Sequence, residues 1–173
     1  MKEQRLLEFL MKATPINSVS AALIALSFAW PALAADPSTD KAFVDLVSQG
    51  GRYEVEASKL AEQRATAPDV KDLATTEVHD HERVNARLKQ LAGAAGIPVA
   101  PELNSTFQER LATLKSASPS DFDHAYIEDM RQIHDKDEKL FAKEAMDGTG
   151  DFKAFAHQTD LIVKRHIGAL AAN

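Results

Sequence analysis

A chain of 173 residues with 45% hydrophobic and 27% charged side chains is sized for one domain rather than two. Twenty lysines and arginines against 26 acids leave a net charge of −6, which argues against a nucleic-acid binder and against a protein held on anionic lipid. There is no cysteine, so disulfides, thiolate metal sites and a lipid anchor on a lipobox are excluded.

The chain opens on a targeting segment. Lys12 provides a positive charge, Val19 to Trp30 is mostly apolar, and Pro31 precedes Ala32-Leu33-Ala34, a small-x-small cleavage signal. The expectation is a signal peptide over residues 1–34, cut after Ala34, and a mature domain over 35–173 exported to the periplasm. The apolar run is too short to span a bilayer, so no integral membrane segment is expected after processing. Glu3 and Glu8 do not suit a signal peptide, and Met11-Lys12-Ala13 makes the better start. Residues 1–34 carry three of the 20 basic and two of the 26 acidic side chains, so processing leaves the rest more acidic still. That balance is compatible with cation binding.

Four long helices are expected. The first runs from Ser38 to Ala65 and breaks at Thr66-Ala67-Pro68. The second has Asp69 in its first turn and continues to Ala92, where Gly93, Gly96 and Pro98 end it. Pro101 lies in the same connection, and a short helix over Ser105 to Ser116 interrupts it. Ser118-Pro119-Ser120-Asp121 carries the marks of a helix start, with a capping hydroxyl, a proline and an acid. The third helix then reaches Asp147. Gly148-Thr149-Gly150 stops it, and the fourth covers Asp151 to Ala171. No stretch alternates with period two, so no sheet is expected. Two short connections imply two antiparallel hairpins. The long link between the second and third helices can run the length of a bundle, since an extended chain covers ~35 Å in roughly ten residues. The expected fold is all-α, a ferritin-like four-helix bundle with a crossover. An up-and-down bundle with a decorated loop is the alternative.

The apolar seams hold polar residues. The second helix reads Val70, Ala74, Glu77, His81, Val84, Leu88, Leu91, with steps that alternate between four and three. The third reads Tyr126, Met130, His134, Asp137, Phe141, Ala145. The fourth reads Phe152, Ala156, Thr159, Val163, His166, Leu170. The first reads Phe43, Val47, Gly50, Glu54, Ala57, Ala61, against a competing stripe of Val44, Val47, Gly51, Val55 and Ser58. Counted from the turns, Glu54 and His81 stand at nearly one height, and so do His134 and His166. The expectation is one polar layer in the core: Glu54, Glu77, His81, His134, Asp137 and His166.

Burying an unpaired carboxylate costs several kcal/mol, roughly, so such a layer needs a cause. Two causes compete. The groups coordinate a divalent transition metal (iron, manganese, zinc or copper), to which imidazole and carboxylate are suited. Or they pair with one another as a structural network and hold no cofactor. The di-iron pattern of Glu-x-x-His motifs is not met. Glu77 and His81 are four apart, the third helix offers His134-x-x-Asp137, and Val163 stands where the fourth needs an acid. A mononuclear site, or an eroded dinuclear one, fits better. Asp80 is a candidate partner for an imidazole N–H. His79, His124 and His157 lie off the seams and are expected at the surface. Gly50-Gly51 permits close helix approach or a kink.

Glu54-Val55-Glu56 after a glycine pair, Val70-Lys71, Asp80-His81, Phe122-Asp123-x-x-Tyr126, His134 and the final His166 resemble the bacterial "domain of unknown function 4142" family over residues 38–170. The resemblance implies an exported ferritin-like bundle and supplies no reaction. Its members are often labelled outer membrane proteins, which does not suit a chain with no barrel strands and no lipid anchor. There is no phosphate loop, nucleophile elbow or Cys/His pair, so nucleophilic catalysis has no candidate. Two functions follow: a periplasmic metal-binding bundle, or a non-enzymatic envelope stress or interaction protein whose polar layer is structural. A haem bundle is disfavoured, because no gap of small residues flanks the seam histidines.

Overall fold

The computed structural model describes residues 37–172. The expected leader over 1–34, its cut after Ala34 and the start at Met11 lie outside the described residues. The helices are α1 Pro37–Arg64, α2 Pro68–Ala94, α3 Ser105–Ser116, α4 Phe122–Asp147 and α5 Gly150–Ala172. Among the described residues there is no strand, and no helix is long and apolar enough to cross a membrane.

The boundaries have local causes. Pro68 opens α2, where a missing N–H is harmless, and Asp69 lies in its first turn. The turn before it is tied to α4. The amides of Thr66 and Ala67 and the Thr66 hydroxyl donate to the Asp123 carboxylate at 2.7–3.1 Å. Gly96 ends α2 with φ +69°, a left-handed conformation that suits glycine. Ile97 N–H then donates to Ala92 O at 2.8 Å and Gly96 N–H to Gly93 O at 3.2 Å, which closes a Schellman motif. Asn104 caps α3 by accepting from Phe107 N–H at 3.0 Å.

The expected start at Ser118 is a turn instead. Asp121 N–H donates to Ser118 O at 3.1 Å, and the Ser118 hydroxyl donates to the Asp121 carboxylate at 2.6 Å. With its side chain taken by an acid, Ser118 caps no amide, and α4 begins at Phe122.

α1 pairs with α2 and α4 with α5, while α1 also packs on α4 and α2 on α5. Asp123, at the start of α4, meets Thr66, beyond the end of α1. At the other end, Thr149 N–H, beyond α4, donates to Asp40 in the first turn of α1 at 3.2 Å. α1 and α4 are therefore antiparallel, and α4 runs in the same direction as α2. The link must cross the length of the bundle. It does so along α1: the Gln49 amide donates to Glu102 O and accepts from Asn104 N–H, and Arg64 donates to Lys115 O and Ala117 O at 2.7 and 2.6 Å. This is the ferritin-like crossover, and the up-and-down alternative is set aside.

The core has two apolar halves. One gathers Tyr53, Ala57, Ala61, Val70, Tyr126 and Met130 with their neighbours. The other gathers Phe43, Val47, Val84, Leu88, Phe141, Phe155 and Val163. The polar layer lies between them. Gly51 lets α1 and α2 approach closely there. A Cβ at this position would overlap Asn85 Oδ1 and stand 3.1 Å from Asn85 Cγ.

Candidate metal centre

The alternating steps of three and four put Glu77 and His81 on one face of α2, one turn apart. The same rule turns His134 of α4 and His166 of α5 inward. All four are at most 2% exposed. They form a group that could hold a metal ion, with one ligand atom from each within 4.8 Å of the others. Glu77 Oε2 lies 3.1 Å from His81 Nε2, 3.3 Å from His134 Nε2 and 3.0 Å from His166 Nδ1. His134 Nε2 and His166 Nδ1 are 3.2 Å apart.

The outward nitrogen of each ring has its own partner. His134 Nδ1–H donates to Met130 O at 2.9 Å. A carbonyl only accepts, so this nitrogen carries the proton and the neutral ring leaves Nε2 bare. His166 Nε2–H donates to the Asp80 carboxylate at 3.0 Å, which leaves Nδ1 bare. His81 Nδ1 faces Glu54 Oε2 at 3.1 Å, which leaves Nε2 inward. The bare nitrogens of His134 and His166 thus turn their lone pairs toward one carboxylate oxygen, which Nε2 of His81 also faces. Both oxygens of Glu77 and Nε2 of His81 are buried without a hydrogen-bond partner. Lone pairs crowded in this way demand a cation, either a proton or a metal ion.

The charges agree with that need. Burial alone would raise the Glu77 pKa, yet the closeness of His134, His166 and His81, which can donate to it once protonated, outweighs burial and holds the carboxyl well below its usual range. Burial works against the charged form of His134, but Glu77 more than compensates and raises its pKa. Both shifts favour a proton held between His134 and Glu77 when no metal is bound. Asp80 is also held low. Burial opposes its charge, and hydrogen bonds from His166 and His79 with the nearby Arg165 charge prevail.

Glu54 and Asp137 do not join the four. Glu54 stands behind His81, and burial together with the Asp137 and Glu77 charges pushes its pKa well up. Asp137 lies next to Glu54, and its pKa is raised mainly by burial. Asp80 is found on His166 rather than on the adjacent His81. His79, His124 and His157 are exposed, as their off-seam positions require. The Met130 carbonyl and the Arg165–Asp80 ion pair were not visible in the sequence pattern. The proximity of Arg165 to His166 was the only signal for the latter.

The donor set fits a small divalent ion. Bonds of 2.0–2.1 Å in a tetrahedron put ligand atoms about 3.3–3.4 Å apart. Four of the six separations here, 3.0–3.3 Å, are close to that spacing, and with all four atoms within 4.8 Å of one another His81 has the furthest to move to close on an ion. Partners on the outward nitrogens are what metal-binding imidazoles use to fix their tautomer and orientation.

The chain belongs to the family described as a domain of unknown function (DUF4142), whose model matches residues 28–172. Among solved structures it is similar to the crystal structure of a DUF305 fragment from Deinococcus radiodurans. The TM-score is 0.70 at 14% identity, over 80% of this chain and 95% of that one. At that identity the likeness is one of fold alone. None of the curated proteins matches this chain.

Proposed function

We propose that this DUF4142 protein is an exported bundle that holds one divalent transition ion with Glu77, His81, His134 and His166. The observation that carries the reading is the convergence of three imidazole nitrogens on one carboxylate oxygen in the buried core. Imidazole and carboxylate suit zinc, copper, iron and manganese alike. Four nitrogen and oxygen donors this close together suit zinc, which imposes no d-electron geometry of its own.

Bound there, the ion would supply two positive charges and cross-link α2, α4 and α5. The residues do the rest: Glu54, Asp80 and the Met130 carbonyl orient the rings, and the two apolar halves exclude water. Catalytic zinc keeps an open position, whereas four protein ligands at most 2% exposed close this one. The centre therefore serves binding, storage or cross-linking rather than turnover.

Export rests on the leader over 1–34, and the mature chain begins at Ala35. Intact mass of the periplasmic fraction tests this directly, and a retained leader in the membrane pellet contradicts it. The rival reading is a self-neutralised network with a proton in the centre, favoured by the lowered Glu77 and raised His134. Elemental analysis of untagged protein purified from the periplasm separates the two. The metal reading expects about one ion per chain, and the network reading expects only traces.

A further inference from the structure

A centre with four buried ligands needs a path by which its ion arrives. Two openings approach it, and each has a carboxylate that leads toward the imidazoles. Behind His166, Asp80 borders a hollow that also holds Arg83, Arg87 and Arg165. Arg165 is already ion-paired with Asp80. A cation on that side meets three guanidiniums and no free carboxylate.

The second opening is a cavity of about 480 Å³ among α1, α3 and α4, with Gly50 and Asp137 in its lining. Asp137 stands close enough to Glu54 for each carboxyl to shift the other. Glu54 Oε2 lies 3.1 Å from His81 Nδ1 and its Oε1 lies 3.6 Å from His134 Nδ1. That Oε1 is buried without a hydrogen-bond partner, a spare oxygen next to the imidazoles. Gly50 leaves the outer acid uncovered, since an added Cβ would stand 3.7 Å from Asp137 Oδ1. Of the cations at the rim, Lys143 is tied to Asp147 and Arg110 to Asp129. Lys136 and Lys139 are exposed.

We propose that this cavity admits the divalent cation, with Asp137 and then Glu54 as the successive oxygen ligands that replace its water and hand it to the imidazoles. The inference rests on the metal-binding reading above. It gives the two carboxyls that stand outside the ligand set a role as positioning residues. A transient ligand lowers the barrier in both directions, so it changes the rates of loading and release together and leaves the affinity alone.

The test uses the demetallated mature chain, zinc as the probe, and stopped-flow competition with a chromogenic zinc chelator. Asp137→Asn keeps the shape and removes the charge. It should slow loading and release about tenfold each, with an unchanged Kd. Gly50→Ala, which improves helix propensity, should also slow loading by covering the Asp137 oxygen. Two surface reversals locate the opening independently of any packing change. Lys139→Glu should speed loading, and Arg87→Glu should not. Wild-type loading rates in Asp137→Asn would overturn the inference. So would acceleration by Arg87→Glu without acceleration by Lys139→Glu, which would put the opening at Asp80. Either result leaves the metal reading intact, whereas a wild type that takes up no zinc removes both.

Discussion

Glu77→Gln keeps the volume of the side chain and removes its charge at the centre of the polar layer. Glu77 is 0% exposed, and three imidazole nitrogens lie within 3.3 Å of its Oε2. In the metal-free protein it neutralises the proton on His134. Because the His134 pKa is raised above 6.5, this stabilisation is complete below about pH 6.5 and is lost as pH rises through the raised value. Because the Glu77 pKa is depressed below 4.5, its own contribution is present above about pH 4.5 and is lost only in stronger acid. The window is therefore centred near pH 5.5. There the variant leaves a buried imidazolium unpaired, at a cost of about 3–5 kcal/mol. For a domain of this size that is a fall in Tm of roughly 10–20 °C. Above the raised His134 value that proton is gone, and a glutamine N–H can donate to a nitrogen that a carboxylate can only repel. The cost should vanish or reverse. Thermal melts followed by circular dichroism, with a chelator present, measure both arms. Zinc at one hundred times its Kd should then stabilise wild type by about 2.7 kcal/mol and the variant by much less. A cost that is equal at pH 5.5 and pH 9, with equal zinc stabilisation of both proteins, would refute the reasoning.

Glu144, buried against Asp40, has its pKa pushed up to about 7, by burial first and then by the neighbouring carboxylate. It keeps its proton in the folded state while the unfolded chain loses it, so stability falls as pH rises from about 4.5 to 7. Glu144→Gln should remove that fall, gaining about 1–2 kcal/mol at pH 8 after allowance for solvent screening and nothing at pH 4, as read from urea melts. Gly51→Ala should destabilise despite a helix-propensity gain of about 1 kcal/mol, because its Cβ overlaps Asn85 Oδ1. Adding Asn85→Ala should recover the loss in a double-mutant cycle. Asp80→Asn weakens the hold on His166 and should lower zinc affinity about 10–100-fold in a chelator competition.

Helical periodicity made the seam of α2 legible in full: every residue from Val70 through Leu91 that the three-four steps select is buried. It also set the height of His134 and His166, because a seam position fixes both face and level on a straight helix. The pattern could not say which atoms meet. Glu54 and Glu77 occupy equivalent seam positions, yet one oxygen of Glu77 faces three inward nitrogens while Glu54 touches the outer nitrogen of His81. That difference depends on rotamers and on the tilt between α1 and α2. Asp80 was marked for an imidazole, but its partner is 86 residues away, across a helix pair whose alignment no local signal records. The crossover was legible only as a length. Its direction emerged from contacts such as Arg64 with Lys115 and Ala117. Ser118 misled because the same residue types that cap a helix also close a turn on themselves.

The central claim is that a metal ion, not only a proton, completes the cluster of Glu77, His81, His134 and His166. Calorimetric titration of zinc into the demetallated mature protein near pH 7, repeated in buffers of different ionisation enthalpy, measures stoichiometry and proton release together. The account predicts about one ion per chain, with release of the proton that His134 holds, and affinity that weakens as pH falls through the imidazole range. It also predicts that binding is lost in His134→Ala and retained in His79→Ala. A flat titration of folded wild type, or full binding by His134→Ala, would contradict it.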